Sequence, residues 1–421
     1  MPLSRRGLIG AGGLALGGLF LPRPLTAAVT GAQRRFVFVF CPGGWDPAMV
    51  FAPVFSSTID RDYGDAPAST GGIPYVDSES RPSVRRFFET WAARTCVVNG
   101  WNVPSVAHEV CTRLTMTGTV TASQDDWVSI VANGAGPEVP MPNVLLDGPL
   151  FPNLYPTASV RLGTNGQLSA LLTGEASSRS TLRVAAPSSS SQALSDDALR
   201  RRLDRYTQRH LVGTGATVAA ATRIALDRAD VLRGYADQLE YVSDDALTAG
   251  VATVLSCFEL GLARTATLAY GTGGNGAWDT HSDNRIQDTL FEELFAALCD
   301  LCDGLDAAPG TQGGTLLDET CIVVLSEMGR TPLYNSAAGK DHWPYTSALF
   351  IGSGVKGGQA IGEYADDLTG QPIDVASGAA TAAGEVMYPG HLGATILALA
   401  DIDPGPWVPE GSGRVLEAVL E

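Results

Sequence analysis

The chain has 421 residues, 45% of them apolar and 17% charged, which is enough for one large domain or two smaller ones around a sizeable core. Its 28 basic residues stand against 45 acidic ones, a formal charge of −17. Such a surface repels phosphate backbones, so no nucleic-acid partner is expected.

Residues 1–28 read as an export signal rather than as part of the fold. Ser4-Arg5-Arg6-Gly7 opens a Gly- and Leu-rich stretch ending near Leu21, and small residues follow at Thr26-Ala27-Ala28. The apolar part is too short and too Gly-rich for a stable span, which needs about 20 apolar residues. A periplasmic or extracellular protein exported by the twin-arginine route is expected, with no membrane span in its mature form. Residues 29–421 then form the working domain.

Phe36 to Cys41 is an unbroken apolar run, the pattern of a strand buried on both faces, and it ends in Pro42-Gly43-Gly44-Trp45-Asp46. A second run, Cys96 to Val98, precedes Asn99-Gly100-Trp101. Helical periodicity follows from His108 to Met116 and stops at Gly118. The serine run inside Ala186 to Ser195 reads as a loop. Ser195-Asp196-Asp197 and Ser243-Asp244-Asp245 read as helix starts, predicting helices near 196–210 and 244–262 with a third between them. This helical insertion, about 195–262, carries His210, which reads as a surface histidine. Ala266 to Tyr270 is another strand and leads through a glycine loop to Trp278-Asp279-Thr280-His281. Residues 286–305 carry leucines at helical period. Cys321 to Leu325 runs into Ser326-Glu327 and Gly329-Arg330-Thr331, with Asp341-His342 beyond. Ala348 to Ile351 is the last strand, and Gly390 to Leu399 the last helix; His391 at its head reads as a cap or packing residue. The seven cysteines, an odd number lying largely in apolar or helical runs, are expected as small core residues rather than disulfides.

Strands alternating with helices predict an α/β fold, a three-layer sandwich with a largely parallel central sheet flanked by helices. In such sheets ligands bind outside the carboxyl ends of the strands. Asp46, Asp279 and Glu327 each follow a predicted strand, and His108, His281 and His342 lie on the same pieces of chain. Clustered carboxylates repel one another, and a divalent cation removes that conflict. Asp46, His108, Asp279, His281, Glu327, Asp341 and His342 are the candidate ligands, enough for one cation amply or two sparsely. Mixed oxygen and nitrogen donors point to zinc or manganese ahead of calcium or magnesium. Asp341 has an alternative role in orienting a neighbouring ligand. Arg330 is the candidate clamp for an anionic oxygen, and Ser105, three residues before His108, the candidate nucleophile; an ion pair and a helix cap are their plainer roles.

These residues resemble domain-of-unknown-function family 1501. The resemblance rests on the twin-arginine start, Gly43-Gly44-Trp45-Asp46, His108, Trp278-Asp279-Thr280-His281-Ser282, the Ser326-to-Thr331 block with Asp341-His342, and Val355-Lys356-Gly357-Gly358. It implies an alkaline phosphatase- or sulfatase-like fold and a metal-dependent hydrolase acting on a small phosphate or sulfate ester. By the same resemblance Asp46 and Glu327 belong to one metal position, with Asp279, His281 and His342 near the other. The chain departs from that pattern at Glu327-Met328, where such phosphatases carry Asp-His, and at Ala107, where a serine commonly precedes the histidine. These departures favour the alternative, a non-catalytic exported binding or surface protein that keeps the fold.

Overall fold

A computed structural model of the chain describes residues 29–121, 123–136, 138–162, 188–209, 213–235, 246–272 and 277–421. The export signal and His210 lie outside the described residues. The first apolar run forms β1 (Arg35–Phe40), and Asp46 caps a single turn, α1 (Pro47–Val50). A side ribbon, β2 (Ala66–Thr70) and β3 (Ile73–Asp77), precedes α2 (Pro82–Trp91), β4 (Thr95–Asn102), α3 (His108–Thr117) and α4 (Trp127–Asn133). Two short strands, β5 (Asn143–Leu145) and β6 (Ser159–Arg161), lie in the Pro- and Gly-rich stretch that periodicity leaves unassigned. Three helices follow: α5 (Ser189–Arg209), α6 (Thr214–Arg233) and α7 (Ala246–Glu259). The rest is β7 (Thr265–Ala269), α8 (Ile286–Ala307), β8 (Thr320–Leu325), β9 (Gly329–Arg330), β10 (His342–Trp343), β11 (Tyr345–Gly352), β12 (Gln359–Ile361) and α9 (Pro389–Leu399).

The serine run differs from its expectation as a loop. Helix α5 starts at Ser189, because the Ser188 hydroxyl accepts from the Ser191 amide at 3.3 Å and caps the first turn. Gly118 ends α3 in the left-handed region (φ 71°), as its position after the periodic residues predicts. His391 does head α9, where its ring accepts from the Tyr388 amide at 3.1 Å.

Eight strands form the central sheet in the order β12-β4-β11-β8-β1-β7-β5-β6. β1 pairs in parallel with β7 and β8, β5 with β6 and β7, and β4 with β12, whereas β11 runs antiparallel to both β4 and β8. One reversed strand in a sheet of parallel ones is the expected α/β class, and it has a consequence for the site. The chain leaves β1, β4, β7 and β8 at the same edge where it enters β11.

Alternation along β1 separates two cores. Val37 and Val39 face a layer containing α2, α7 and α8, through residues such as Phe88, Phe258 and Phe291. Phe36, Phe38 and Phe40 face the layer of α3, α4 and α9, through Leu114, Val131 and Ile396. Each fully buried side chain of this kind contributes about 1.5–3 kcal/mol of transfer free energy. The cysteines are all free and buried, and burial raises the thiols of Cys41 and Cys302 well above their ordinary range. Among the described residues no helix is long and apolar enough to cross a membrane.

Phe291 sits under the functional edge, its ring 4.8 Å from Trp278 and 6.1 Å from Trp45. Phe291→Ala is expected to destabilise the protein by about 3–5 kcal/mol, read as a fall in the denaturant midpoint with unchanged slope.

Candidate metal centre

Four loops leaving the sheet and one entering it supply the site. The β4 exit carries Val106 and His108, the β7 exit carries Asp279 and His281, and the β8 exit carries Glu327 and Arg330. His342 comes from the segment just before β11, where the two-residue ladder of β9 and β10 sets it directly opposite Arg330. The β1 exit, Gly43 to Asp46, forms the floor. Gly43 (φ 119°) lies so close to the Asp279 amide that an added Cβ would stand 2.5 Å from it. Only glycine allows that backbone approach.

All three histidines are anchored through Nδ1. His108 Nδ1 is 2.8 Å from Glu327 Oε1, His281 Nδ1 is 2.8 Å from Asp341 Oδ1, and His342 Nδ1 is 2.7 Å from the Val106 carbonyl oxygen. A carbonyl or ionised carboxylate oxygen only accepts, so Nδ1 carries the hydrogen in each ring. The Nε2 atoms are left to face Asp279. His342 Nε2 and His281 Nε2 lie 3.0 and 3.1 Å from Asp279 Oδ1 and 3.0 Å from each other, while His108 Nε2 lies 3.4 Å from Asp279 Oδ2. His108 Nε2 is buried and has no hydrogen-bond partner.

Imidazole lone pairs 3.0 Å apart repel unless a cation lies among them. The donor set fits a metal ion. Ligand atoms of His108, Asp279 and His342 fall within 4.8 Å of one another; His281 Nε2 stands beside two of them, His342 and Asp279, and is not part of that group. Donors on a tetrahedral zinc ion stand roughly 3.3 Å apart, close to the 3.0 Å from His342 Nε2 to Asp279 Oδ1 and the 3.4 Å from His108 Nε2 to Asp279 Oδ2. Histidine ligands with Nδ1 held by a carboxylate or carbonyl are the arrangement that orients imidazole toward metal. Burial works to raise the Asp279 carboxyl, but the Arg330 guanidinium, donating to Oδ1 at 2.8 Å, holds it well below the usual carboxylate range. The bond to Glu327 raises the His108 imidazole above its ordinary value, against the opposing effect of burial.

Four candidates sit differently from their expected roles. Arg330 is fully buried: Nε donates to the Gly44 carbonyl (2.8 Å), Nη1 to that of Lys340 (3.0 Å), and Nη2 to those of Gly43 and Trp278 and to Asp279 Oδ1 (2.8 Å). All three of its nitrogens are hydrogen-bonded to the protein and the side chain is fully buried, so it braces the site instead of facing a substrate anion. Glu327 is 1% exposed and accepts from Gly43 N, His108 and Ser326 Oγ, which makes it the support of a ligand. Asp46 lies outside the histidine cluster, buried and paired with Lys340 Nζ at 2.7 Å. The Ser105 hydroxyl accepts from the Ala107 amide at 3.2 Å, and among the described residues no hydrogen bond joins it to a site histidine. Asp341 takes its alternative role, turned toward His281 rather than His342.

Sequence reasoning passed over Lys340, Asn284 and Gln287. Asn284 donates to Asp46 Oδ2 at 2.8 Å, and Gln287 accepts from the Asp46 amide at 2.7 Å. For Lys340 a signal existed: it is one of only two lysines in the chain, the other being Lys356.

The fold and site together define an α/β protein with a histidine–aspartate centre at the carboxyl edge of its sheet. Residues 262–418 match the family model described as protein of unknown function (DUF1501), the family that the Ser326-to-Thr331 block resembles. No curated protein matches the chain. Among solved structures, a protein in complex with its substrate D-glucosamine-2-N,6-O-disulfate is similar at 10% identity, covering 92% of this chain and 80% of that one, with a TM-score of 0.35. A sulfatase from Pseudoalteromonas sp. is similar at 10% identity, over 92% and 76%, with a TM-score of 0.33. A protein from Pyrococcus horikoshii is similar at 9% identity, over 77% and 88%, with a TM-score of 0.30.

Glu327→Gln leaves the shape of the support while removing its charge from the His108 bond. A 10–100-fold loss of zinc affinity is expected, measured by chelator competition, with little change in the far-ultraviolet circular dichroism.

Proposed function

We propose that this chain is an exported, metal-dependent hydrolase of small phosphate or sulfate esters. One observation carries the metal dependence: three imidazole Nε2 atoms converge on Asp279 while their Nδ1 atoms are tied back. His108, Asp279 and His342, with His281 beside them, would hold a divalent cation, zinc or manganese by donor type, which would supply Lewis acidity toward an ester oxygen and lower the pKa of a water at the site. Arg330 keeps Asp279 ionised as a donor, while Glu327, Asp341 and the Val106 carbonyl hold the three rings in register. The ester class follows from the family resemblance. The net charge of −17 favours a small substrate over an anionic polymer.

The test is metal analysis of the natively purified protein together with turnover of 4-nitrophenyl phosphate and 4-nitrophenyl sulfate. Bound zinc or manganese with turnover that His342→Ala reduces to background is the expected result; metal-free native protein without turnover would refute the hydrolase.

A second reading, a non-catalytic exported binding protein with a structural metal, is favoured by the burial of Arg330, which leaves no guanidinium for the substrate. It predicts bound metal in the wild type with no turnover of either ester. Export has its own check: Arg5→Lys together with Arg6→Lys is expected to leave the uncleaved precursor in the cytoplasmic fraction.

A further inference from the structure

The strand-end acids outnumber the cation that the histidines can hold. Asp46 is fully buried, Glu327 nearly so, and each requires a partner of opposite charge or a full set of hydrogen bonds. For Glu327 the partners are His108, Gly43 N and Ser326 Oγ. For Asp46 the partner is an ammonium. Lys340 Nζ stands 2.7 Å from Asp46 Oδ2, with Asn284 Nδ2 on the same oxygen at 2.8 Å and the Ala48 amide on the other at 3.0 Å. The ammonium also donates to the Asp60 carbonyl at 3.1 Å and faces the Tyr334 ring at 5.3 Å. Both side chains of the pair are 1% exposed.

Choice of residue adds independent weight. The chain meets nearly every need for positive charge with arginine, and Lys340 is one of only two lysines. An ammonium is a compact point charge, whereas a guanidinium is a planar fork of five donors that a single buried carboxylate oxygen and one carbonyl cannot match.

We infer that the Lys340 ammonium is a built-in cation occupying the position at Asp46 where a second metal ion would otherwise bind, so the centre takes one metal per chain. Removing the Lys340 side chain leaves Asp46 Oδ2 and the Asp60 carbonyl free as two oxygen ligands for a hard cation such as calcium or magnesium, which would complete its shell with water. This inference rests on the metal-centre reading for its stoichiometry but not for the behaviour of that pocket.

The experiment has two arms. Titration of metal-free wild-type protein with zinc, followed by calorimetry and by metal analysis after gel filtration, should give one ion per chain. Lys340→Ala should acquire a melting temperature that rises with added calcium or magnesium, a response absent from the wild type. Two zinc ions per wild-type chain, falling to one in Asp46→Asn/Lys340→Met, would overturn the inference. A Lys340→Ala protein that folds but shows no response to either cation would overturn it equally. Should Lys340→Ala fail to fold, the double variant decides: it removes both charges together and should still take up one zinc ion. A wild type binding no metal would sink the metal centre itself, while cation-dependent melting of Lys340→Ala would still support the pocket.

Discussion

Arg330 is fully buried, and its guanidinium ties the Gly43, Gly44, Trp278 and Lys340 carbonyls to the Asp279 carboxylate. The rest of the site depends on that set of bonds. A buried guanidinium without partners is prohibitive, so the loops after β1, β7 and β8 have to assume the positions in which their carbonyls meet it. Once they do, Asp279 is held ionised, Gly43 N reaches Glu327, and Glu327 reaches His108. The arginine therefore acts on the chemistry through geometry and charge, at one remove from any ligand.

The sheet makes that bracing possible. Seven strands run one way and β11 the other, so four exits and one entrance meet along a single edge. A reversed strand lets His342 arrive from the segment preceding its strand while Asp279 and His108 arrive from segments following theirs. At the same edge β11 shifts register against β4 between Thr346 and Ser347, leaving Gly100 as the extra residue, and Thr346 Oγ1 accepts from Trp45 Nε1 at 2.8 Å. Bulges commonly re-aim side chains next to sites of this kind.

Charge balance divides the acids into three uses. Asp279 faces the imidazole nitrogens, Glu327 and Asp341 steer histidine rings, and Asp46 is matched by an ammonium and caps α1. All four lie in loops at the sheet edge, yet of these acids only Asp279 stands with His108 and His342 in the group that could hold a metal ion. The distinction follows from what stands opposite each carboxylate.

Much was legible in the sequence because the physics involved is local. Apolar runs bounded by Gly and Pro mark β1, β4, β7, β8 and β11, period 3.6 marks α8, and the rule of strand carboxyl ends brings Asp46, Asp279, Glu327 and the three histidines to one edge. The short strands β5 and β6 were not legible, since three residues carry no periodicity. Nor was the serine start of α5, because composition says nothing of a cap. The division of labour within the site was decided by tertiary structure alone. Whether a carboxylate ligates, orients or is neutralised depends on which group lies within 3 Å of it, and for Asp46 that group is Lys340, 294 positions away in the chain and adjacent only after the sheet has formed.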